Sequence, residues 1–397
     1  MKVGDRLLAR LSRRTTSGQF IPEIDGLRFV SIVLVVLFHL GGFTLARSPT
    51  AQLQSPLDHA LARITATGHY GVQLFFIISG FVLALPFAAH HLRERPAPRL
   101  RAYFLRRLTR LEPPYIIAMV GIFVLAVAGH YSGGARVLLP HLLASLAYLH
   151  NLIYGTGSTL NVVAWSLEIE VQFYLLAPVL ASVFAVGPRW TRRAIIVAAI
   201  AVVLAAQSLG ITGSPRLSLT LLNFLQFFLI GFILADLYLT EWRQPSTIPA
   251  AWDAVGIFGW AALLATWVFV PSPTASFPLL AFIVFCATFR GNLLRRLLSN
   301  RWLTTIGGMC YSIYLLHYPF ISALGRHTVR IGSSKTFTGH FLLQSLLLLP
   351  AQLLVSTAYF ALVERPCMNK NWPQHLLVRS RTMTWRIMPA QLSSFWR

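Results

Sequence analysis

The stretch "IDGLRFVSIVLVVLFHL" (Ile24–Leu40) decides the fold class of this protein. Most of its residues are apolar, as in a helix that crosses a lipid bilayer, which needs about 20 such residues. Within it, however, Arg28 lies near the start and His39 near the end of the quoted letters. Ionisable groups in hydrocarbon are costly and rare, so we treat each of them as a candidate functional residue.

The composition of the whole chain indicates a membrane protein. Of its 397 residues 55% are apolar and only 12% are charged, whereas soluble domains carry about 25% charged residues. We predict an all-α polytopic membrane protein with about ten transmembrane helices. The predicted spans are 26–46, 68–89, 113–131, 165–186, 194–211, 217–240, 251–270, 276–290, 304–324 and 340–363.

The formal charge of +22 is distributed unevenly along the chain. With the spans above, 26 of the 34 Lys and Arg residues fall in the segments on one side of the membrane. Positive charge is retained on the cytoplasmic side, so we predict that both termini are cytoplasmic. Because the basic excess follows topology, we expect no nucleic-acid partner.

One apolar stretch, 137–155, is left out of the predicted spans. It contains a proline and two histidines, and counting it as a span would place the basic sequence "RWTRR" (189–193) outside. We therefore predict an interfacial or re-entrant helix on the outer side.

Arg28 and His39 are eleven residues apart in sequence. On a helix this spacing corresponds to about 16 Å and about three turns, so both side chains lie on one face. Arg28 could simply be a snorkelling anchor, and His39 could be a packing residue. Histidine is also the side chain best suited to accept and return a proton near neutral pH.

Other polar residues have similarly open interpretations. Arg107 and Arg110 share a helix face just before Pro113, and they form either a charge cluster or a phosphate clamp. Glu168 and Glu170 lie near the start of the fourth predicted span. Each of them is either an ion-pair partner or a functional group. Elsewhere, His317 is a core histidine or a site residue, and Asp236 is expected to pair with an arginine.

The cysteines Cys286, Cys310 and Cys367 show no metal-binding spacing, so no metal site is expected.

Together, these motifs resemble the acyltransferase-3 family of bacterial membrane O-acyltransferases, and the likeness spans 21–366. The order of six motifs carries the resemblance, since each alone is weak. They are Asp25-Gly26-Leu27-Arg28 with His39, Gly71–Phe81, Arg107–Arg110, Trp165–Leu176, Tyr311–Pro319 and Glu364–Pro366.

Some positions depart from the family pattern. Gln73 stands where an Asp is frequent, and Glu168 and Val171 replace what are often Ser and a second Glu. We predict a cytoplasmic tail at 1–20, an acyltransferase-3 membrane domain at 21–366 and a cytoplasmic tail at 367–397. We therefore expect the stand-alone form of the family, in which no esterase-like domain is appended to the membrane domain.

The resemblance implies transfer of an acyl group, commonly acetyl, from cytoplasmic acyl-CoA to a hydroxyl of a carbohydrate or glycosylated acceptor. Arg107 and Arg110 would bind the phosphates of the donor, acetyl-CoA. His39 would be a general base or an acyl-accepting nucleophile. Arg28 would assist donor binding or stabilise developing charge, and Glu170 would orient His39 or bind the acceptor.

We expect the acceptor to contact His317, Glu168 and Trp165. The lipid bilayer is the remaining partner, no cofactor is expected to be permanently bound, and the expected location is the bacterial inner membrane. The alternative is a proton-coupled secondary transporter that uses the buried His, Glu and Arg as a relay. No internal repeat of the Arg28–His39 pattern is found in residues 200–397, which favours the enzyme.

Overall fold

The computed structural model describes residues 11–13, 20–48, 52–129, 133–242, 244–270, 273–331, 335–369 and 372. Within these residues the chain is helical, and its one β pairing is an isolated bridge between Gln52 and Thr336. The predicted all-α fold class is confirmed. We number the helices in chain order: α1 Pro22–Arg47, α2 Pro56–Ala66, α3 Gly71–Arg93, α4 Leu100–Ala128, α5 Gly134–Leu146, α6 His150–Tyr154, α7 Trp165–Leu180, α8 Arg189–Ser208, α9 Pro215–Ser218, α10 Leu225–Thr240, α11 Pro249–Phe269, α12 Ser276–Arg290, α13 Leu293–Leu298, α14 Arg301–Gly308, α15 Cys310–Thr328, α16 Phe337–Tyr359 and α17 Arg365–Cys367.

Seven helical segments of the described chain are long and apolar enough to cross a membrane, so this is a multi-pass membrane protein. Some of them join neighbouring helices through short irregular turns, such as the π-helical turn Phe360–Glu364 after α16. The seven segments are Pro22–Arg47, Pro56–Arg93, Leu100–Ala128, Val162–Ala185, Arg189–Ser208, Pro249–Phe269 and Phe337–Cys367.

The other three predicted spans are also helical but do not belong to this set. The predictions 217–240 and 276–290 correspond to α10 and α12, which have 16 and 15 residues. Such helices are about 22–24 Å long, shorter than a bilayer core of about 30 Å. The prediction 304–324 crosses the break between α14 and the 19-residue α15.

The region 137–155 forms two short helices, α5 of 13 residues and α6 of 5 residues. A turn with Tyr148 at a positive φ of 57° separates them. The length of α5 corresponds to about 20 Å, too short for a full crossing. The helix–turn–helix form is the one expected of an interfacial or re-entrant segment, although the side of the membrane stays a prediction.

Helix α4 runs without a break through Pro113 and Pro114. The predicted start of this span at Pro113 is therefore wrong. Pro113 has no N–H to offer the Thr109 carbonyl one turn earlier, but the Trp372 indole N–H donates to that oxygen at 3.0 Å. The Tyr359 hydroxyl also donates to the nearby Pro114 carbonyl. The Trp372 indole thus replaces the donor that Pro113 lacks, in a helix that the local sequence would end.

Helix α1 lies at the centre of the bundle, in contact with α3, α14, α15 and α16. Its neighbour α3 packs closely along α10 because two glycines face the opposite backbone. A Cβ at Gly80 would lie 2.1 Å from the Phe228 oxygen, and one at Gly231 would lie 2.3 Å from the Phe81 nitrogen. Small residues allow such close approach between helices in a membrane.

Asp236 links α10 to α8 through buried ion pairs. Its carboxylate accepts hydrogen bonds from Arg192 and from Arg193, the latter at 2.8 Å, and it is fully buried. The expected pairing of Asp236 with arginine is confirmed. Arg193 also contacts Glu241 at 2.6 Å, but that carboxylate is 39% exposed.

We expect Asp236→Ala to lower the free energy of unfolding by about 3–5 kcal/mol, because it leaves two buried guanidinium groups without their carboxylate. Glu241→Ala removes an exposed partner of the same arginine and should cost less than about 1 kcal/mol. Denaturant unfolding of the purified protein in detergent micelles measures both values. Equal losses in the two variants would contradict this assignment.

Candidate active site

The candidate site is built where α1 lies beside α15. Near the start of α1, Arg28 pairs with Asp25 of the same helix. Further along, His39 of α1 contacts His317 of α15. Because α1 is unbroken between the two candidate residues, they share the helix face predicted from their spacing.

His39 and His317 form a hydrogen-bonded histidine pair. His39 Nδ1 lies 3.1 Å from His317 Nε2 and 2.9 Å from the Val35 carbonyl oxygen. His317 Nδ1 lies 2.7 Å from the Tyr314 carbonyl oxygen. His317 is fully buried, whereas His39 keeps part of its ring accessible.

These contacts fix the positions of the imidazole protons. A carbonyl oxygen only accepts hydrogen bonds, so Nδ1 of His317 and Nδ1 of His39 each carry a proton. Nε2 of neutral His317 is then an acceptor, and it receives the His39 Nδ1–H. Nε2 of His39 makes no hydrogen bond within the described part of the chain, so in this tautomer it keeps a free lone pair, which is the form required of a base or nucleophile.

At the other end of α1, one carboxylate holds two arginines. Asp25 is buried and accepts hydrogen bonds from Arg28 and from Arg13, the latter at 3.2 Å. Arg13 belongs to the predicted N-terminal tail and was not among the predicted site residues. The sequence signal was weak, because a basic residue ahead of a first span usually reports topology alone.

Arg107 and Arg110 lie on α4, close to this end of α1. The Arg107 guanidinium stacks 3.6 Å above the Tyr103 ring and lies 5.5 Å from the Tyr174 ring. Arg110 interacts electrostatically with Arg13 and with Glu364. Its Nε is buried and makes no hydrogen bond within the described part of the chain. The structure thus brings Arg110 together with Arg13, which the sequence did not predict.

A cavity of about 360 Å³ lies between α4, α7 and the start of α15, a volume typical of small-molecule sites. Apolar side chains form most of its wall. Four charged side chains, Arg101, Arg107, Glu112 and Glu170, line it together with Tyr148, Tyr174 and Tyr311. The cavity therefore combines a mostly apolar wall with two cations and two carboxylates.

Glu170 belongs to this cavity. Its carboxylate accepts a hydrogen bond from the Ser79 hydroxyl on α3, and it interacts electrostatically with Arg28. Among the described residues, the hydrogen bonds of the His39 ring go to Val35 and His317 and not to Glu170. The structure therefore associates Glu170 with the end of the site that contains Arg13, Arg28, Arg107 and Arg110, which we call the arginine end.

Helix α15 connects the cavity to the histidine pair. Tyr311, Tyr314 and His317 follow at intervals of three residues along it, which corresponds to a rise of about 9 Å from the first to the last. Tyr311 lines the cavity, and the Tyr314 hydroxyl contacts Ser166 Oγ of α7 at 2.6 Å. The Tyr314 ring is 5.7 Å from that of His317.

Trp165 and Glu168 lie in the first turn of α7. The Trp165 ring packs against Phe224 at 5.5 Å, and its carbonyl accepts from the Asn151 side chain. Glu168 is fully buried, and its carboxylate accepts the Asn151 backbone N–H at 2.8 Å. Because that N–H is in the first turn of α6, Glu168 caps this short helix, and it does not lie with His39.

Glu364, which belongs to the last of the six motifs, is fully buried. Its carboxylate accepts from the Ser312 backbone N–H at 3.1 Å and from the Ser312 hydroxyl at 2.5 Å. It thus fixes the first turn of α15, whose later turns carry the histidine. Within the described ranges, no group of three or more His, Cys, Asp or Glu side chains could hold a metal ion.

The chain matches the acyltransferase-3 family model, described as an acyltransferase domain, over residues 21–362. It belongs to the acyltransferase-3 family. This match covers every residue of the histidine pair and of the cavity, whereas Arg13 lies outside it.

Curated relatives of this acyltransferase-3 chain are bacterial. O-acetyltransferase OatA of Staphylococcus aureus (strain NCTC 8325 / PS 47) is 26% identical over 351 residues, covering 79% of this chain and 53% of the relative. Peptidoglycan O-acetyltransferase OatA of Listeria monocytogenes serovar 1/2a is 25% identical over 371 residues, covering 78% and 51%. A putative O-acetyltransferase of Staphylococcus aureus (strain COL) is 24% identical over 331 residues, covering 77% and 51%.

The chain thus spans about half the length of the curated relatives it matches. No solved structure matches it significantly.

Proposed function

We propose that this protein is a membrane O-acyltransferase that moves an acyl group, acetyl in the first instance, from acyl-CoA to a carbohydrate hydroxyl. The observation that carries the proposal is the hydrogen-bonded pair of His39 and His317, in which Nε2 of His39 has no hydrogen-bond partner among the described residues. Membership of the acyltransferase-3 family and the names of the three O-acetyltransferase relatives support it.

The distribution of basic residues supports a cytoplasmic position for the arginine end of the site. Arg107 and Arg110 belong to the basic segment that precedes the third span, and Arg13 belongs to the basic N-terminal segment. Acyl-CoA is a cytoplasmic metabolite, so the donor would enter from this end. The bacterial relatives support the bacterial inner membrane as the location.

In the proposed complex the phosphates of acyl-CoA bind Arg107 and Arg110, since guanidinium groups match phosphate geometry. The apolar cavity beside Arg107 would take the pantetheine arm, which is about half a bilayer core in length. Glu170, on the cavity wall, is available to accept a hydrogen bond from the arm or from the acceptor. Arg28, whose guanidinium is held by Asp25 at this end of α1, would assist donor binding, because it lies about 16 Å along the helix from His39.

The transfer step follows from the tautomer of His39. Nε2 takes the proton of the acceptor hydroxyl as the hydroxyl oxygen attacks the thioester carbonyl carbon. The carbon–sulfur bond then breaks, and the proton passes from Nε2 to the CoA thiolate. Nδ1 keeps its own proton throughout, and the developing imidazolium is stabilised by the hydrogen bond to His317.

The acceptor would approach His39 from the side opposite the arginines. Trp165 stays a proposed acceptor contact, since it is partly exposed. We reassign His317 to positioning because its Nε2 is already engaged by His39, and Glu168 to capping of α6. The name of the Listeria relative supports a cell-wall glycan as the acceptor class.

His39→Ala should abolish transfer of radiolabelled acetyl from acetyl-CoA to envelope carbohydrate, because general base catalysis contributes about 10²- to 10⁴-fold. Inverted membrane vesicles that hold equal amounts of each variant give the measurement. His59→Ala, on the exposed surface of α2, is the matched control and should keep full activity. A wild-type protein that transfers no label from acetyl-CoA or succinyl-CoA would favour the transporter instead.

His317→Ala should lower kcat about 10- to 100-fold with little change in KM, because it removes the residue that positions the base His39 and does not remove a substrate contact. His317→Gln should restore part of the loss, since its amide oxygen can accept the His39 Nδ1–H. Steady-state kinetics of the three proteins make the comparison. The positioning role fails if the Gln variant is as inactive as the Ala variant, or if KM alone changes.

Combined replacement of Arg107 and Arg110 by alanine should weaken donor binding about 100-fold or more, because two charge-assisted contacts are lost. Calorimetric titration of the purified protein with CoA gives the dissociation constant. An unchanged constant would refute the phosphate role of this pair.

A further inference from the structure

The arginine end of the site contains more cations than carboxylates. Arg13, Arg28 and Arg110 interact electrostatically with one another or with a common neighbour. The carboxylates that face them are Asp25, which already serves both Arg13 and Arg28, Glu364, and Glu170, which faces Arg28. Arg107 also interacts electrostatically with Arg110, so four guanidinium groups share three carboxylates, and Glu364 is also used by Ser312.

Two of these arginines have donors without acceptors. Nε of Arg13 and Nε of Arg110 are both buried, and neither makes a hydrogen bond within the described residues. A buried donor without a partner costs free energy, and nearly all such groups in proteins are paired. Two unpaired donors on neighbouring guanidinium groups indicate that an acceptor from another molecule belongs between them.

The charge of Arg13 supports the same conclusion. Burial, with repulsion from Arg110 and Arg28, lowers the pKa of Arg13 to about 9. Arg13 is therefore still a cation at neutral pH, but its charge is only partly compensated. A bound anion would compensate it, because an opposite charge nearby favours the charged form.

The cluster is partly open to a ligand and lies near the cavity. The side chains of Arg13 and Arg28 keep exposed fractions of 14% and 13%. Arg107 lines the cavity, and Arg110 follows it three residues later on α4, so the two share a helix face. A ligand bound at Arg107 would therefore lie within reach of Arg110.

We propose that Arg13 of the N-terminal segment, together with Arg110, binds a phosphate group of the nucleotide part of the acyl donor. This inference rests on the proposed function and extends the donor site beyond the membrane domain. Paired guanidinium groups provide several N–H donors in the planar geometry that phosphate oxygens accept. Arg28 is paired with Asp25 at the same end of α1 and is not assigned to this phosphate.

The test compares wild type, Arg13→Ala and Arg13→Lys with acetyl-CoA as donor. We expect Arg13→Ala to raise the KM for acetyl-CoA about 10- to 100-fold, the range for a hydrogen bond to a charged group, with kcat unchanged at saturation. Arg13→Lys should be intermediate, since it keeps the charge but not the planar fork. Arg95→Ala, which removes an exposed cation elsewhere on the same side, should leave KM unchanged.

A second donor separates phosphate binding from a structural role. S-acetylpantetheine has the thioester but lacks the nucleotide, so Arg13→Ala should use it as well as wild type does. Equal losses with both donors, or an unchanged KM for acetyl-CoA, would overturn the inference alone. Calorimetric titration of Arg13→Lys with CoA checks the same contact if Arg13→Ala folds poorly. A wild-type protein without transfer from acetyl-CoA would overturn the proposed function, and this inference with it.

Discussion

A polar group within hydrocarbon must find its partner inside the protein, because lipid offers none. The architecture of this protein follows from that constraint. Asp236 binds α8 to α10 through two arginines, and Glu364 fixes the first turn of α15. His39, the polar residue in the middle of α1, is held by His317. Each of these contacts joins two helices, so the polar residues that appear most out of place in the sequence define how the bundle packs.

The same contacts give the candidate site its direction. The arginines gather at the end of α1 where Asp25 lies, and the histidine pair lies several turns further along. Between them, α15 carries Tyr311 on the cavity wall, then Tyr314, then His317. This order places an anion-binding end and a proton-accepting end along one helix pair. The two ends of an acyl donor, with phosphates at one end and a thioester at the other, match the two ends of this helix pair.

The contacts of the histidine pair also explain why His39, and not His317, would be the reactive imidazole. His317 has both nitrogens engaged, Nδ1 with a carbonyl and Nε2 with His39, and it is fully buried. Among the described residues, His39 forms hydrogen bonds through Nδ1 alone, and it keeps part of its ring accessible. The two residues therefore have different chemistry because of what surrounds them, and not because of their type.

The sequence by itself determined the fold class, most of the spans, the shared face of Arg28 and His39 and the family, because hydrophobic length, helical periodicity and motif order are local properties. Only the tertiary structure decided which polar groups meet. It paired His39 with His317, placed Glu170 beside Ser79 and brought Arg13 to Asp25. It also carried α4 through Pro113, since the missing donor is supplied by Trp372 from the far end of the chain. Contacts between residues hundreds of positions apart depend on how helices pack, and no local pattern encodes that.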